Sequence, residues 1–284
     1  MKQILVISGK GGTGKTILTA SFASLAENKV MVDCDVDAAD LHLILHPKVL
    51  HKYDFRSGKT ARINEQLCNK CGKCRQVCRF NAIQQDFIVD SISCEGCGLC
   101  SRICPVNAVL MEENNSGEWY ISDTKYGPLV HAKLGIAEEN SGKLVAKVRQ
   151  AAKELAEKQG RDYVIIDGPP GIGCPVISSL SGVDTAVIVT EPTVSGLHDM
   201  KRVLEVAGHF KTPCLVVVNK YDLNNENTGI IEDYCKTKGI PVAGKIPFSQ
   251  EVSKSIVNGL PAVEYCKNEV SKEIIKIWDI VKGC

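Results

Sequence analysis

The chain has 284 residues, enough for one large α/β domain or for one domain that carries an insert. Its formal net charge is +1, so no basic excess indicates binding to nucleic acid. No apolar run approaches the roughly 18 residues that span a membrane. The first residues enter an apolar run directly and leave no room for a signal peptide. We therefore expect a cytoplasmic protein without stable membrane association.

The first motif is a glycine-rich loop between an apolar run and a stretch with helical spacing. Every position of the P-loop pattern G-x-x-x-x-G-K-[ST] is filled, by Gly9, Lys10, Gly11, Gly12, Thr13, Gly14, Lys15 and Thr16. Such a loop surrounds phosphate oxygens with backbone N–H groups at a helix N-terminus. We expect Lys15 to contact the β- and γ-phosphates and Thr16 to hold Mg²⁺. A simple glycine turn is disfavoured, because a predicted strand and helix flank the loop.

The position of Lys10, directly after the first glycine, indicates a particular class of P-loop proteins. With this residue the chain resembles the MinD/ParA family of P-loop ATPases, which includes the nitrogenase iron protein and the Mrp-type iron–sulfur carriers. The resemblance implies an ATP-dependent homodimer in which Lys10 of one copy reaches the nucleotide of the other. A cation supplied in this way neutralises charge on the transferred phosphoryl group, as an arginine finger does.

Two later predicted strands end in carboxylates. Residues 29–35 end in an Asp-x-Asp pair whose second member is Asp35, and residues 163–167 end at Asp167. Doubly wound sheets bind ligands at the carboxyl ends of their strands. The resemblance implies that Asp35 positions the attacking water and that Asp167 is the Walker B ligand of Mg²⁺. A turn-only role for Asp167 is the alternative, since Gly-Pro-Pro follows it.

The segment after Asp167 resembles switch II, which senses the γ-phosphate, and its notable residues are Gly168, Gly171 and Cys174. Cys174 has the same offset from the carboxylate as a cluster ligand of the nitrogenase iron protein. A second ligand has no obvious counterpart, so we expect Cys174 to be a small buried cysteine.

The same resemblance indicates which residues contact the nucleotide base. Asn219 ends a strand predicted over 214–219, and the resemblance implies that it reads adenine. Pro247 and Phe248 would flank the base.

The chain contains fourteen cysteines, which favour metal or redox use over disulfides in the absence of a secretory signal. Eight of them form an internal repeat of about 26 residues, C-x2-C-x2-C-x3-C written twice. This is the spacing of two-cluster bacterial ferredoxins, in which the fourth cysteine of each run ligates the other cluster. We therefore predict two [4Fe–4S] clusters, the first on Cys68, Cys71, Cys74 and Cys104 and the second on Cys78, Cys94, Cys97 and Cys100. Zinc is disfavoured, because zinc ribbons separate their C-x2-C pairs by more residues.

The predicted fold is α/β, a doubly wound and mostly parallel P-loop NTPase sheet over 1–60 and 115–284. An inserted α+β domain, similar to bacterial ferredoxins, is predicted over 62–113. The weak pattern between about His46 and Asn64 predicts a turn and a short hairpin. Two helices are predicted to close the chain, the last of them packed on its own core.

Together, these predictions indicate an ATPase that is slow alone and is stimulated by a partner. We expect ATP, Mg²⁺ and two [4Fe–4S] clusters as cofactors, and a redox or metal-cofactor protein as partner. ATP state would be coupled to electron transfer through the clusters. Two alternatives remain open, an iron–sulfur carrier and a positioning ATPase whose clusters are structural.

Overall fold

A computed structural model of the chain describes residues 1–135 and 141–284. The strands in this part of the chain are β1 (Lys2–Ser8), β2 (Lys29–Asp33), β3 (Lys48–Ile63), β4 (Val109–Thr124), β5 (Gly127–Leu134), β6 (Tyr163–Pro170), β7 (Thr185–Thr190), β8 (Cys214–Asn219) and β9 (Val242–Ile246). The helices are α1 (Lys15–Leu25), α2 (Leu41–Leu45), α3 (Lys73–Val77), α4 (Leu99–Arg102), α5 (Ser141–Gln159), α6 (Cys174–Leu180), α7 (Val194–His209), α8 (Asn225–Lys238), α9 (Gln250–Val257), α10 (Ala262–Tyr265) and α11 (Glu269–Gly283).

The strands form one sheet in the order β3-β4-β5-β2-β6-β1-β7-β8-β9. Parallel pairing joins β5, β2, β6, β1, β7, β8 and β9. The chain moves from β1 to one side of the sheet and later to the other, so β1 lies at the switch point where such sheets bind ligands. The predicted α/β fold with a mostly parallel sheet is confirmed.

The central strands are buried on both faces. Ile4, Leu5, Val6 and Ile7 of β1 have no exposed surface. Helices cover both faces of a parallel sheet, so its strands read as continuous apolar runs rather than alternating ones. The P-loop therefore follows directly on a fully buried stretch of the sheet.

Helix α11 packs on the core of its own chain, as predicted. Its buried side chains include Ile274, Ile277 and Trp278. The Trp278 ring lies 5.1 Å from that of Phe22 in α1 and 5.7 Å from that of Tyr163 in β6, measured between centroids. Among the described residues, no helix is both long and apolar enough to cross a lipid bilayer.

The chain divides into two compact units. The first contains Met1–Tyr53, Trp119–Lys133 and Ser141–Cys284, and the second contains Asp54–Glu118 with a short stretch that starts at Leu134. The second unit has a small core of its own around Ala61, Cys74, Ile83 and Val109.

The cysteine repeat of the sequence is also a repeat of the backbone. Gly72 and Gly98, which occupy equivalent positions, have φ angles of 79° and 73°. Asn81 and Asn107, a second equivalent pair, both have a φ angle of 52°. Each half therefore makes the same two left-handed turns around its cysteines.

Several predicted elements were wrong. The hairpin expected between His46 and Asn64 is a single strand, β3, because pairing with β4 in the sheet overrides a weak local pattern. The first helix, which the apolar spacing predicts from about Lys15 to Asn28, ends at Leu25, and Asn28 adopts a left-handed φ of 47°. Three described helices, not two, follow β9. The sequence also predicts a helix over roughly 142–159 with Asn140 or Ser141 as its N-cap, and Asn140 lies outside the described residues.

His131 is the most strongly perturbed histidine of the sheet. Burial, with a smaller contribution from His42, lowers the pKa of His131 from 6.5 to about 4. Its Nε2 lies 2.9 Å from the Ser122 hydroxyl, and its ring stacks on Tyr120 at 5.0 Å. The folded protein therefore keeps this imidazole neutral where the unfolded chain would protonate it.

This histidine should make stability fall in acid. As pH drops from 6.5 to about 4, the unfolded state gains a proton that the folded state refuses, which lowers the free energy of unfolding by up to about 3 kcal/mol. The free energy of unfolding is measured in urea at a series of pH values. His131→Gln should remove the part of its fall in acid that is due to this histidine. Substitution of the exposed His209 by Gln should leave it in place. Parallel pH profiles of wild type and His131→Gln would contradict the assignment.

Candidate functional site

Three neighbouring strands bring the predicted site residues to one edge of the sheet. Strand β6 lies between β1 and β2, and Asp167 of β6 is in register with Asp33 of β2 and with Val6 of β1. The P-loop follows β1 directly, so the loop and the carboxylates of two strands converge. This edge is the carboxyl end of the sheet, where ligands bind in folds of this class.

Lys15, the first residue of α1, is the centre of this group. Its Nζ lies 3.2 Å from Asp35 Oδ2 and 3.7 Å from Asp167 Oδ1, and its side chain is 7% exposed. Burial alone would lower the pKa of Lys15, but Asp167, Asp35 and Asp33 together outweigh burial and raise it. Lys15 is therefore held as a cation inside a ring of acids.

The surroundings of Asp33 and Asp35 disfavour the ionised form of both carboxyl groups. Burial, helped by nearby Asp167, raises the pKa of Asp33 well above its usual value, although the backbone N–H of Asp35 donates to Asp33 Oδ1 at 3.0 Å. Burial also raises the pKa of Asp35, against the opposing effect of Lys15. Two buried carboxylates and the half-buried Asp35 thus surround one ammonium group, an arrangement that favours a further cation.

Asp167 fits the expected Mg²⁺ ligand. Its Oδ1 accepts a hydrogen bond from Thr19 Oγ1 at 2.9 Å, while its Oδ2 is buried without a hydrogen-bond partner among the described residues. A buried carboxylate oxygen without a partner is costly unless an ion or its water shell satisfies it. Thr16, the predicted second ligand, lies half-buried on the first turn of α1.

Thr19 was missed by the sequence analysis. It lies one helical turn after Lys15, on the same face of α1, and this i+4 spacing from the P-loop lysine was the available signal. Its hydroxyl also donates to the carbonyl of Lys15 at 3.0 Å. Thr19 thus orients the carboxylate that is expected to face the metal.

The P-loop backbone takes the shape expected of a phosphate cradle. Gly12 and Gly14 have φ angles of 79° and 90°, a region that favours glycine. A Cβ atom on Gly14 would lie 2.3 Å from Asn219 Nδ2. Asn219 Nδ2 donates to the carbonyl of Thr13 at 2.8 Å, so this asparagine braces the loop.

The predicted base-binding residues lie at the ends of adjacent strands. Asn219 of β8 is in register with Ile246 of β9, and Pro247 and Phe248 follow directly. Phe248 is 47% exposed, and its backbone N–H donates to Asp222 Oδ1 at 2.7 Å. The three residues are brought together, and their contacts with adenine stay a prediction.

Lys10 is separate from the acidic group. Its Nζ lies 3.2 Å from Ser195 Oγ, 3.3 Å from Thr193 Oγ1 and 3.5 Å from Glu191, and its side chain is 30% exposed. Glu191, which sequence reasoning missed, also pairs with Lys220. Lys10 therefore rests against the start of α7 and points away from Lys15 and its carboxylates.

The predicted switch II residues lie beside the P-loop strand. A Cβ on Gly168 would lie 2.4 Å from Ile7 Cγ2, and Gly171, with a φ of 93°, donates its N–H to the carbonyl of Ser8 at 3.0 Å. Cys174 begins α6 and is exposed, so the expectation of a buried cysteine was wrong.

Two cavities of the second unit each gather four of the repeat cysteines. One is lined by Cys68, Cys71, Cys74 and Cys104, and the other by Cys78, Cys94, Cys97 and Cys100. Burial raises the pKa of Cys74, and its neighbours Cys68, Cys71 and Cys104 raise it further. No group of His, Cys, Asp or Glu side chains in the described residues is spaced to hold a single metal ion.

Comparison with known proteins now places the chain. Residues 4–262 match the model of the CobQ/CobB/MinD/ParA nucleotide binding domain. The chain belongs to this family. It is 37% identical to the uncharacterized protein MJ0578 of Methanocaldococcus jannaschii, over 99% of this chain and 96% of that protein. It is 26% identical to the septum site-determining protein MinD of Bacillus subtilis, over 95% and 85% of the two chains.

The fold likeness extends to solved MinD structures. MinD of Pyrococcus horikoshii, solved in complex with Mg-ADP, superposes with a TM-score of 0.59 at 19% identity, covering 99% of this chain and 95% of that one. The predicted membership of the MinD/ParA family is confirmed, and the P-loop carries its motif.

The Thr19–Asp167 hydrogen bond can be tested by substitution. Thr19→Val keeps the shape but leaves Asp167 Oδ1 without its donor, so the free energy of unfolding in urea should fall by about 1–3 kcal/mol. Ser21→Ala is the matched control, because Ser21 makes the same type of bond to a carbonyl four residues earlier but reaches no carboxylate. Equal losses in the two variants would contradict the positioning role of Thr19.

Proposed function

We propose that this MinD/ParA-family chain binds Mg-ATP and hydrolyses it slowly as a nucleotide-dependent homodimer. The observation that carries the proposal is the buried group of Lys15, Asp35 and Asp167 at the mouth of the P-loop. The Mg-ADP bound by the P. horikoshii MinD supports the same ligand class here. Glycines with positive φ and a buried Asp167 oxygen without a partner fit a phosphate and its metal.

Each side chain then has a defined part in the reaction. Lys15 stabilises the β- and γ-phosphates, and Asp35, released from Lys15, orients the attacking water. Thr16 and Asp167 hold Mg²⁺, with Thr19 fixing the carboxylate. Lys10 leaves Glu191 and neutralises the transferred phosphoryl group in the other copy. Slow basal turnover follows, because Lys10 acts only in the assembled dimer.

We further propose that the second unit carries two [4Fe–4S] clusters. The support is the division of eight cysteines between two cavities, in the crossed arrangement expected of two-cluster ferredoxins. When bound, such clusters supply one-electron transfer. The chain contributes thiolates and backbone N–H groups, such as that of Ala108, which donates to Cys104 Sγ at 3.2 Å. Reduced thiols of this kind suit the cytoplasm.

ATP-gated electron transfer toward a redox or metal-cofactor partner is the role that these parts support best. A carrier role requires cysteines that hand a cluster on, but Cys235 and Cys266 are buried and far apart in sequence. A membrane-positioning role requires a free amphipathic end, but the apolar side of α11 is buried. Switch movement on ATP binding is the link by which nucleotide state would reach the clusters.

Substitutions of Lys15 and Lys10 should differ in their effects on ATP binding and ATP hydrolysis. Lys15→Ala should abolish tight Mg-ATP binding, measured by calorimetry. Lys10→Ala should keep binding within about threefold while lowering the ATPase rate at least about tenfold, because a cation acting on the transferred group is worth a large factor in rate. Lys236→Ala, at an exposed lysine of α8, is the control. If Lys10→Ala hydrolyses ATP like wild type, the role in trans fails.

Paired cysteine variants test the crossed cluster assignment. Cys68→Ala with Cys104→Ala should destroy one cluster and leave about four iron atoms per chain, because both residues serve the same cube. Cys68→Ala with Cys78→Ala should leave almost none, because these residues serve different cubes. Iron and acid-labile sulfide analysis after anaerobic reconstitution gives the count. The reverse result would mean that each run binds its own cluster, and no iron in wild type would remove the clusters altogether.

A further inference from the structure

The two halves of the cysteine repeat differ in charge. Residues 68–83 contain four basic residues and no acidic one, whereas residues 94–109 contain one of each, Glu95 and Arg102. The first half therefore has a formal charge of +4 and the second a charge of 0. The four basic residues are Lys70, Lys73, Arg75 and Arg79.

The fold does not require these charges. Gly96, Leu99, Ser101 and Pro105 occupy the four equivalent positions of the second half, and none of them is charged. The second half nevertheless makes the same left-handed turns. The basic residues of the first half therefore need an explanation other than cluster ligation.

Lys70 is held in an unfavourable conformation. Its φ angle is 55°, close to the 63° of the equivalent Gly96. Gly96 is glycine for lack of space, since a Cβ there would lie 2.1 Å from the carbonyl of Lys59. Position 70 accepts a side chain, but a left-handed lysine costs conformational energy that glycine would avoid. A lysine in this conformation on an exposed loop is therefore consistent with a binding role for its positive charge.

The four cations are also available to a partner. All four are exposed. None of the ion pairs found among the described residues involves them. Asp54–Glu118 contains eight basic and eight acidic residues, so the four cations are a local concentration of positive charge within a balanced segment. Arg62, by contrast, is paired with Glu112.

An open groove has one of these cations, Arg75, in its lining. It is lined by Arg75 and by four amide side chains, those of Gln76, Asn81, Gln84 and Gln85. Gly72 and Phe87 line both this groove and the cavity of Cys68, Cys71, Cys74 and Cys104. Ile83 lines the groove and the other cysteine cavity. A partner seated in the groove would be one residue away from the cysteine cavities.

We propose that this groove, together with the four exposed cations of residues 68–83, docks an acidic one-electron carrier protein, which exchanges electrons through the cluster of Cys68, Cys71, Cys74 and Cys104. The inference rests on the proposed clusters and adds the partner's chemistry and its docking site. Carboxylates of the partner pair with the four cations and accept hydrogen bonds from the groove amides. In the reductive direction the carrier's cofactor loses one electron and the cluster gains it, and no covalent bond changes.

The test uses an acidic flavodoxin as probe and the reconstituted full chain. Calorimetry at a series of salt concentrations measures binding to wild type, to Lys73→Gln with Arg75→Gln, and to Lys236→Gln with Lys238→Gln. The last pair is the matched control, because it removes the same charge from exposed positions of α8. Lys70→Gly, which places the residue of the second half at position 70, removes one charge and the strain together.

Lys73→Gln with Arg75→Gln should weaken binding of the flavodoxin at least about fivefold at low salt. The difference in affinity between this variant and wild type should vanish at about 0.5 M salt, where exposed charges are screened. Lys70→Gly should weaken binding with no loss of thermal stability. Equal weakening by the control pair, or wild type that does not bind, would overturn the docking site. Iron content is measured on every sample, so missing clusters would indicate failure of the proposed function, whereas full clusters with unchanged binding indicate failure of this inference alone.

Discussion

The structure depends on one electrostatic constraint, the burial of a single lysine among carboxylates at the switch point of a parallel sheet. Lys15 contacts Asp35 and Asp167, which belong to different parts of the chain. Burying these charges is costly, and their mutual attraction offsets the cost only while the P-loop and both strand ends stay in register. A triphosphate with its metal, as proposed for this site, would compete with Asp35 and Asp167 for Lys15. The group is therefore suited to convert nucleotide state into movement of the segments around it.

The second unit uses a different device, duplication. Two copies of one cysteine loop make matching left-handed turns, and each cavity takes residues from both copies. The shared cavities tie the halves together, so the duplicated backbone is retained while exposed residues diverge. The charge difference between the halves shows this divergence, since both halves keep the same four cysteine positions but differ in their exposed residues.

Much of the fold and the site could be predicted where local chemistry is strict. The P-loop glycines, the strand Cys214–Asn219 and the cysteine spacing each follow from a local residue pattern that few other structures fit. Strand β3 could not be predicted, because its exposed polar residues form a strand only through pairing with β4. Thr19 and Glu191 were missed for a related reason. Their partners Asp167 and Lys10 are more than a hundred residues away, so a local pattern such as the i+4 spacing of Thr19 from Lys15 does not identify the partner.

The central claim is that nucleotide state and cluster state are coupled, and an anaerobic redox titration followed by EPR tests it most directly. The titration is run with and without Mg-ATP on wild type and on Lys15→Ala. The account predicts that Mg-ATP shifts the potential or the line shape of at least one cluster in wild type, and that Lys15→Ala abolishes the shift. Two cluster signals that are identical with and without Mg-ATP in wild type would contradict it.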